Sequence, residues 1–185
     1  MLENIQGVIF DCDGVLFESR RANMAYYNTV LKHFNYPPVD EEDHKKVTLC
    51  HTAASPEVFT TLLGETLLDE ALKVAAQLHY REFIPWMSPE PGLFEILSEL
   101  SLSRSLAVAT NRGNSMTEIL SHFKMEHFFK VVVTSRDVER PKPHADMLYL
   151  AAQKLEIPLD HLLFIGDSVY DKMAAEAAGV HFVVH

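Results

Sequence analysis

Residues Gly7–Ser19 read GVIFDCDGVLFES, an apolar run that stops on two carboxylates, Asp11 and Asp13. The β-branched and aromatic residues predict a buried strand. Side chains two apart share a face, so Asp11 and Asp13 are expected side by side at its carboxyl end. Two anions that close repel, and a shared proton, a bound cation or exposure on a loop relieves them. Gly14 suits a tight turn or the close approach of a ligand to the backbone. Read alone, the same residues also fit a loop capped by Asx-type hydrogen bonds, so the rest of the chain has to decide. Cys12 should point to the opposite face as buried filler.

With 185 residues, 48% of them apolar, the chain fits one domain or one core with a modest insert. A net charge of -10, from 16 basic and 26 acidic residues, excludes a sequence-independent nucleic-acid binder, which needs a basic face. An anionic substrate must then be held by a few local donors. Met1-Leu2-Glu3-Asn4 lacks the basic start and apolar core of a signal peptide, and no run reaches about 18 apolar residues. The expectation is a soluble, cytoplasmic protein that binds no membrane. Cys12 and Cys50 alone make no disulfide framework.

Further along, GVIF, SLAVAT, VVVTS, LLFIGD and HFVVH alternate with helical patterns, which predicts an α/β fold: a doubly wound, mainly parallel five-stranded Rossmann-like core. Leu93, Ile96, Leu97 and Leu100 sit at helical spacing, and Ser115-x-x-Glu118 predicts a capping box. A third helix is expected from about His144 to Leu155, and a fourth should stop at Gly179. The interval 17–91 lacks β-branched runs and holds too many helix signals for one crossover. Ala22, Tyr26, Val30 and His33 form one stripe; Ser55-Pro56 starts a helix that Gly64 ends; Thr66 to Phe83 reads as a third. The division is therefore a core of 1–16 and 92–185 and a helical insert of 17–91.

In such a sheet, ligands bind beyond the carboxyl ends of the strands. Thr110 and Asn111 follow the second strand, Lys142 precedes a helix, and Asp167 ends the fourth strand with Asp171 four residues on. All should converge on Asp11 and Asp13. Three or more acids can hold a hard divalent cation, and one lysine with neutral donors can hold an anion.

DCDGVLFES, ATNRG, the lysine of RPKP and IGDSVYDKMAAEAAG, in that order, resemble the haloacid dehalogenase-like hydrolases over nearly the whole chain. The likeness is to the phosphatase branch with a helical cap after the first strand, which includes phosphoglycolate phosphatases and β-phosphoglucomutases. The resemblance implies Mg²⁺-dependent hydrolysis of a small phosphorylated metabolite. Asp11 would be the nucleophile that becomes an aspartyl phosphate, and Asp13 the acid and later the base. Thr110, Asn111 and Lys142 would bind the phosphoryl group. The metal would take Asp11, the Asp13 main-chain carbonyl and Asp167, with Asp171 in support or through water. Asp13 needs a raised pKa for its role, and proximity to Asp11 supplies that direction.

Dehalogenases of the family lack the second acid of the first motif, so Asp13 favours phosphate chemistry. Sugar phosphomutases usually carry a cap histidine where Asn23 stands. Phospho-receiver domains lack a helical insert and place their aspartate later, a D-x-D sugar-nucleotide transferase leaves Thr110, Lys142 and Asp167 unexplained, and a silent binding protein would not need all the acids. In the insert, His44, His51, Tyr26, Tyr27, Arg20 and Arg21 are candidates for reading a substrate. The fifth strand is expected to be bare on one flank or packed on a second subunit, which leaves monomer and homodimer both open.

Overall fold

β1 (Gly7–Phe10) is buried at every residue, as its apolar sequence requires. In this computed structural model, which describes residues 4–185, it is the middle strand of the sheet. Met1, Leu2 and Glu3, part of the reading of the amino terminus, lie outside the described residues.

The chain leaves β1 through Gly14, whose φ of 73° is the left-handed conformation that glycine adopts freely. It then forms a two-residue ribbon, β2 (Phe17–Glu18), antiparallel to β3 (Ser88–Pro89), so both connections of the insert run side by side. Between them lie α1 (Arg20–His33), α2 (His44–Thr52), α3 (Ser55–Leu63) and α4 (Leu68–Gln77). As expected, α3 begins at Ser55-Pro56 and stops at Gly64, φ 85°. The stripe on α1 is rotated from the expected one: Ala22, Asn23, Met24, Tyr27, Val30 and Leu31 are buried, while His33 is exposed. The long helix read from Thr66 to Phe83 is broken. Only α4 is α-helical, Leu78 and His79 are extended, and short 3-10 turns follow at Tyr80–Glu82 and Ile84–Trp86. Pro85 lacks the N–H that a continuing helix needs. α2 carries no strong apolar stripe and was invisible to periodicity; it is started by Asp43, whose carboxylate accepts from Lys46 N.

The insert has an apolar cluster of its own, centred on Tyr27, Val30, Val58, Phe59 and Ala71. Its return arm packs on the core instead, through Tyr80, Phe83 and Ile84.

The core follows: α5 (Leu93–Ser101), β4 (Ser105–Thr110), α6 (Ser115–Phe123), β5 (Phe129–Thr134), α7 (Asp146–Leu155), β6 (Leu162–Gly166), α8 (Val169–Ala178) and β7 (His181–Val184). The five strands expected form one parallel sheet in the order β5-β4-β1-β6-β7. Strand alternation divides its apolar side chains between two layers. Val8, Phe10, Leu106 and Val108 meet Leu93 and Leu97 of α5 and Met116 and Ile119 of α6. Ile9, Ala107, Ala109 and Phe164 meet Met147 and Ala151 of α7 and Ala174 and Ala178 of α8. Helices therefore cover both faces.

The capping box expected at Ser115 and Glu118 does not form. Ser115 is already the first helical residue, and Glu118 instead accepts from Arg81 N of the return arm at 3.0 Å. A capping box does open α8, between Ser168 and Asp171, and Gly179 ends that helix at φ 72°. Among the described residues no helix is long and apolar enough to cross a membrane.

Candidate active site

The register sets the site. Phe10 pairs with Val108 on one side and Ile165 on the other, so Asp11 follows at the level of Ala109 and Gly166, one residue short of Thr110 and Asp167. Asp11 N donates to Ile165 O at 2.9 Å, which ties the first acid to β6 just beyond the strand. Carboxylate oxygens of Asp11, Asp167 and Asp171 all lie within 4.8 Å of one another. Two glycines make that density possible. A Cβ on Gly14 would collide with the Asp167 carboxylate, and one on Gly166 with the Asp171 side chain.

Lys142 stands inside the cluster, 3% exposed, with Nζ 2.7 Å from Asp11 Oδ1 and 2.6 Å from Asp171 Oδ1. Its loop is clamped by Asn111, whose Oδ1 accepts from Lys142 N and whose Nδ2 donates to Lys142 O, both at 3.0 Å. The same Nδ2 donates to Thr52 O at the end of α2, tying insert to core. Both side-chain atoms of Asn111 are therefore engaged with backbone, and Thr110 Oγ1 accepts from Arg112 N at 3.1 Å. Asp171 accepts three bonds: Lys142 takes Oδ1, while Ser168 N (3.0 Å) and Ser168 Oγ take Oδ2. Burial, aided by Asp171 and Asp13 and opposed by Lys142, raises the Asp11 carboxyl to about 7.

Asp13 departs from expectation. Its carboxylate pairs with Arg112, whose NH2 donates at 2.5 Å, and accepts further bonds from Asn23 Nδ2 (3.0 Å) and Ser19 Oγ. Burial alone would raise its pKa. The Arg112 guanidinium, nearby His51, and the bonds from Arg112 and Ser19 outweigh burial and hold it below the usual carboxylate range. The raised value expected from the neighbouring acid is therefore corrected: Asp11 has its own cation in Lys142, and Asp13 has Arg112.

Arg112, the arginine of ATNRG, is a functional residue that the sequence reading does not single out. It is 8% exposed, also donates to Asn23 Oδ1 at 2.7 Å, and lies 4.8 Å from the centre of the Tyr80 ring; Tyr80 OH donates to the same Asn23 oxygen at 2.8 Å. Its signal in the sequence is its place in ATNRG, just past the carboxyl end of β4. Of the insert residues singled out, Tyr26, Tyr27 and His51 line a cavity of about 400 Å³ together with Asp13, Asn23 and Arg112. Arg20 is on the outside against Glu18, and Arg21 and His44 do not line the cavity. Cys12 is fully buried and, like Cys50, unpaired.

Comparison with known proteins agrees with this geometry. The profile of the haloacid dehalogenase-like hydrolases matches residues 8–185. A phosphoglycolate phosphatase of Salmonella typhi is 28% identical, over 96% of this chain and 80% of its own length. The pyrophosphatase PpaX of Oceanobacillus iheyensis is 25% identical over 96% and 81%. A haloacid dehalogenase-superfamily hydrolase of subfamily IA, variant 1, from Geobacter sulfurreducens superposes with a TM-score of 0.84 at 35% identity, covering 97% of this chain and 89% of that one. A profile match that runs from β1 to the last strand, on a sheet of this order, settles the kinship: the chain belongs to the haloacid dehalogenase-like hydrolase family.

Proposed function

We propose that this chain is a cytoplasmic, Mg²⁺-dependent phosphatase that hydrolyses a small phosphomonoester through an aspartyl phosphate on Asp11. The observation that carries the reading is Lys142 Nζ held between Asp11 and Asp171 within the acidic cluster. Such a lysine offsets the charge that would otherwise keep a phosphate from a carboxylate. Phosphatase-named relatives support the same reaction class.

The donor set fits a hard divalent cation, since three carboxylates offer oxygens within 4.8 Å. Asp11, Asp167 and the Asp13 main-chain carbonyl would hold the metal, with Asp171, already engaged by Lys142 and Ser168, acting in support or through water. Bound there, Mg²⁺ supplies charge neutralisation and in-line alignment of the phosphoryl group. An oxygen of Asp11 attacks phosphorus while the ester oxygen departs with a proton from Asp13. Water then attacks the aspartyl phosphate and returns its proton to Asp13, freeing phosphate and Asp11. Lys142 and Thr110 hold phosphoryl oxygens; Asn111, its side chain committed to Lys142 and Thr52, fixes Lys142 in place. For Asp13 to carry a proton it must be released from Arg112. An anionic substrate competing for that guanidinium does this, so proton donation awaits a ligand.

Residues 17–91 act as a cap that selects the substrate, supported by the reach of Ser19, Asn23, His51 and Tyr80 to the core site. Asn23, where mutases carry histidine, cannot shuttle a proton, which favours hydrolysis over phosphomutation. Asp11→Asn keeps the size and removes the anion; turnover of an aryl phosphate with Mg²⁺ should fall on the order of 10³-fold or more. Wild-type turnover by that variant would eliminate Asp11 as nucleophile.

A further inference from the structure

One side chain of the insert stands over the acidic cluster without a partner. His51, near the end of α2, is 8% exposed, and neither ring nitrogen makes a hydrogen bond. Its Nε2 is 3.8 Å from Asp167 Oδ2, beyond hydrogen-bond reach. Asp167 is the matching half: among the described residues it accepts no side-chain hydrogen bond, whereas Asp11 and Asp171 both do. A buried donor without an acceptor therefore faces a carboxylate without a donor. The space between them is kept open by Gly14, where a Cβ would strike Asp167 and come within 3.3 Å of His51 Nε2. Closing the gap takes a movement of about 1 Å.

Carboxylates that ligate a metal are commonly held by a hydrogen bond on the oxygen facing away from it, and loss of that bond typically lowers metal affinity 10- to 100-fold. His51 Nε2 carries a hydrogen in one neutral tautomer and in the protonated ring. Direct ligation by His51 alongside all three acids is disfavoured by distance, because its nitrogens fall outside the 4.8 Å cluster.

We propose that His51 is a positioning residue for cation loading: with Mg²⁺ on Asp167, the ring N–H closes on Oδ2 and draws α2 onto the core. The inference rests on the metal reading of the acidic cluster given above. Metal binding and seating of the insert are then linked, and by thermodynamic reciprocity each strengthens the other. Asn111, which already grips Thr52 one residue further on, is the fixed end about which α2 settles.

The test is Mg²⁺ titration by isothermal calorimetry on the full chain, without substrate. His51→Phe keeps the ring shape without the N–H and should bind Mg²⁺ about 10-fold more weakly. His51→Gln, which restores an N–H, should recover most of the loss, and neither change should move the metal-free melting temperature by more than a few degrees. In the wild-type chain, hydrogen exchange across 44–52 should slow when Mg²⁺ is added, a measurement that needs no variant. Equal Mg²⁺ affinity in wild type and His51→Phe, or exchange in α2 indifferent to Mg²⁺, overturns the proposal while leaving the metal reading intact. No Mg²⁺ binding by the wild-type chain overturns both.

Discussion

Replacing Arg112 by methionine removes the guanidinium from Asp13 while filling much of its volume. Asp13 is 6% exposed and would keep only Asn23 and Ser19 as neutral donors. Breaking one half of a buried ion pair costs about 3–5 kcal/mol, because the remaining charge is uncompensated. For a chain of this size that is a fall in melting temperature on the order of 10 °C. The pH dependence has a definite sign. In the wild type Asp13 titrates below its ordinary value of 3.8, so its stabilising contribution is present above that value and is lost as pH falls through the lower, folded pKa. In Arg112→Met, burial prevails and the folded pKa lies above the unfolded one. The penalty is then full at neutral pH and disappears as acid protonates Asp13. The gap between variant and wild type, followed by thermal melts in EDTA, should be large at pH 7 and narrower at pH 5. Adding Asp13→Asn to Arg112→Met should recover most of the loss at pH 7, since no buried charge remains. A variant that melts within about 2 °C of wild type at pH 7, or a gap of the same size at both pH values, would refute the pairing.

Asp13→Asn should slow hydrolysis of alkyl phosphates far more than of aryl phosphates, because a good leaving group needs little protonation; equal losses, measured by phosphate release, would remove the acid role. Gly14→Ala combines a strained φ of 73° with a collision against Asp167. It should cost at least about 1 kcal/mol in urea unfolding and weaken Mg²⁺ binding, and unchanged values for both would show that the loop rearranges freely.

The parts of the fold carried by local pattern were legible in the sequence. GVIF, SLAVAT and LLFIG announce strands because parallel strands covered on both faces must be continuously apolar, and Gly179 announces the end of α8 because it takes a left-handed φ. The convergence of Asp11, Lys142 and Asp167 followed from topology alone. Other features depended on what lies across a gap. Ser115 and Glu118 have capping-box spacing, but Arg81, 37 residues earlier, takes the carboxylate. The electrostatics of Asp13 were misread because its neighbour in sequence, Asp11, matters less than Arg112, 99 residues away. α2 was missed because its burial comes from Cys50 and His51, which make no helical stripe.

The central position of β1 has a consequence for how the molecule assembles. Its two hydrogen-bonding neighbours, β4 and β6, begin about 100 and about 155 residues further along the chain, which makes these pairings among the slowest kind to form. During synthesis the helices of the insert, whose contacts are local, can collapse on one another while β1 waits unpaired. Asp11 meets Lys142 and Asp171 only when the last third of the chain has arrived. The buried cluster thus becomes complete in one late step, and a nascent or truncated chain carries Asp11 without Lys142 and Asp171.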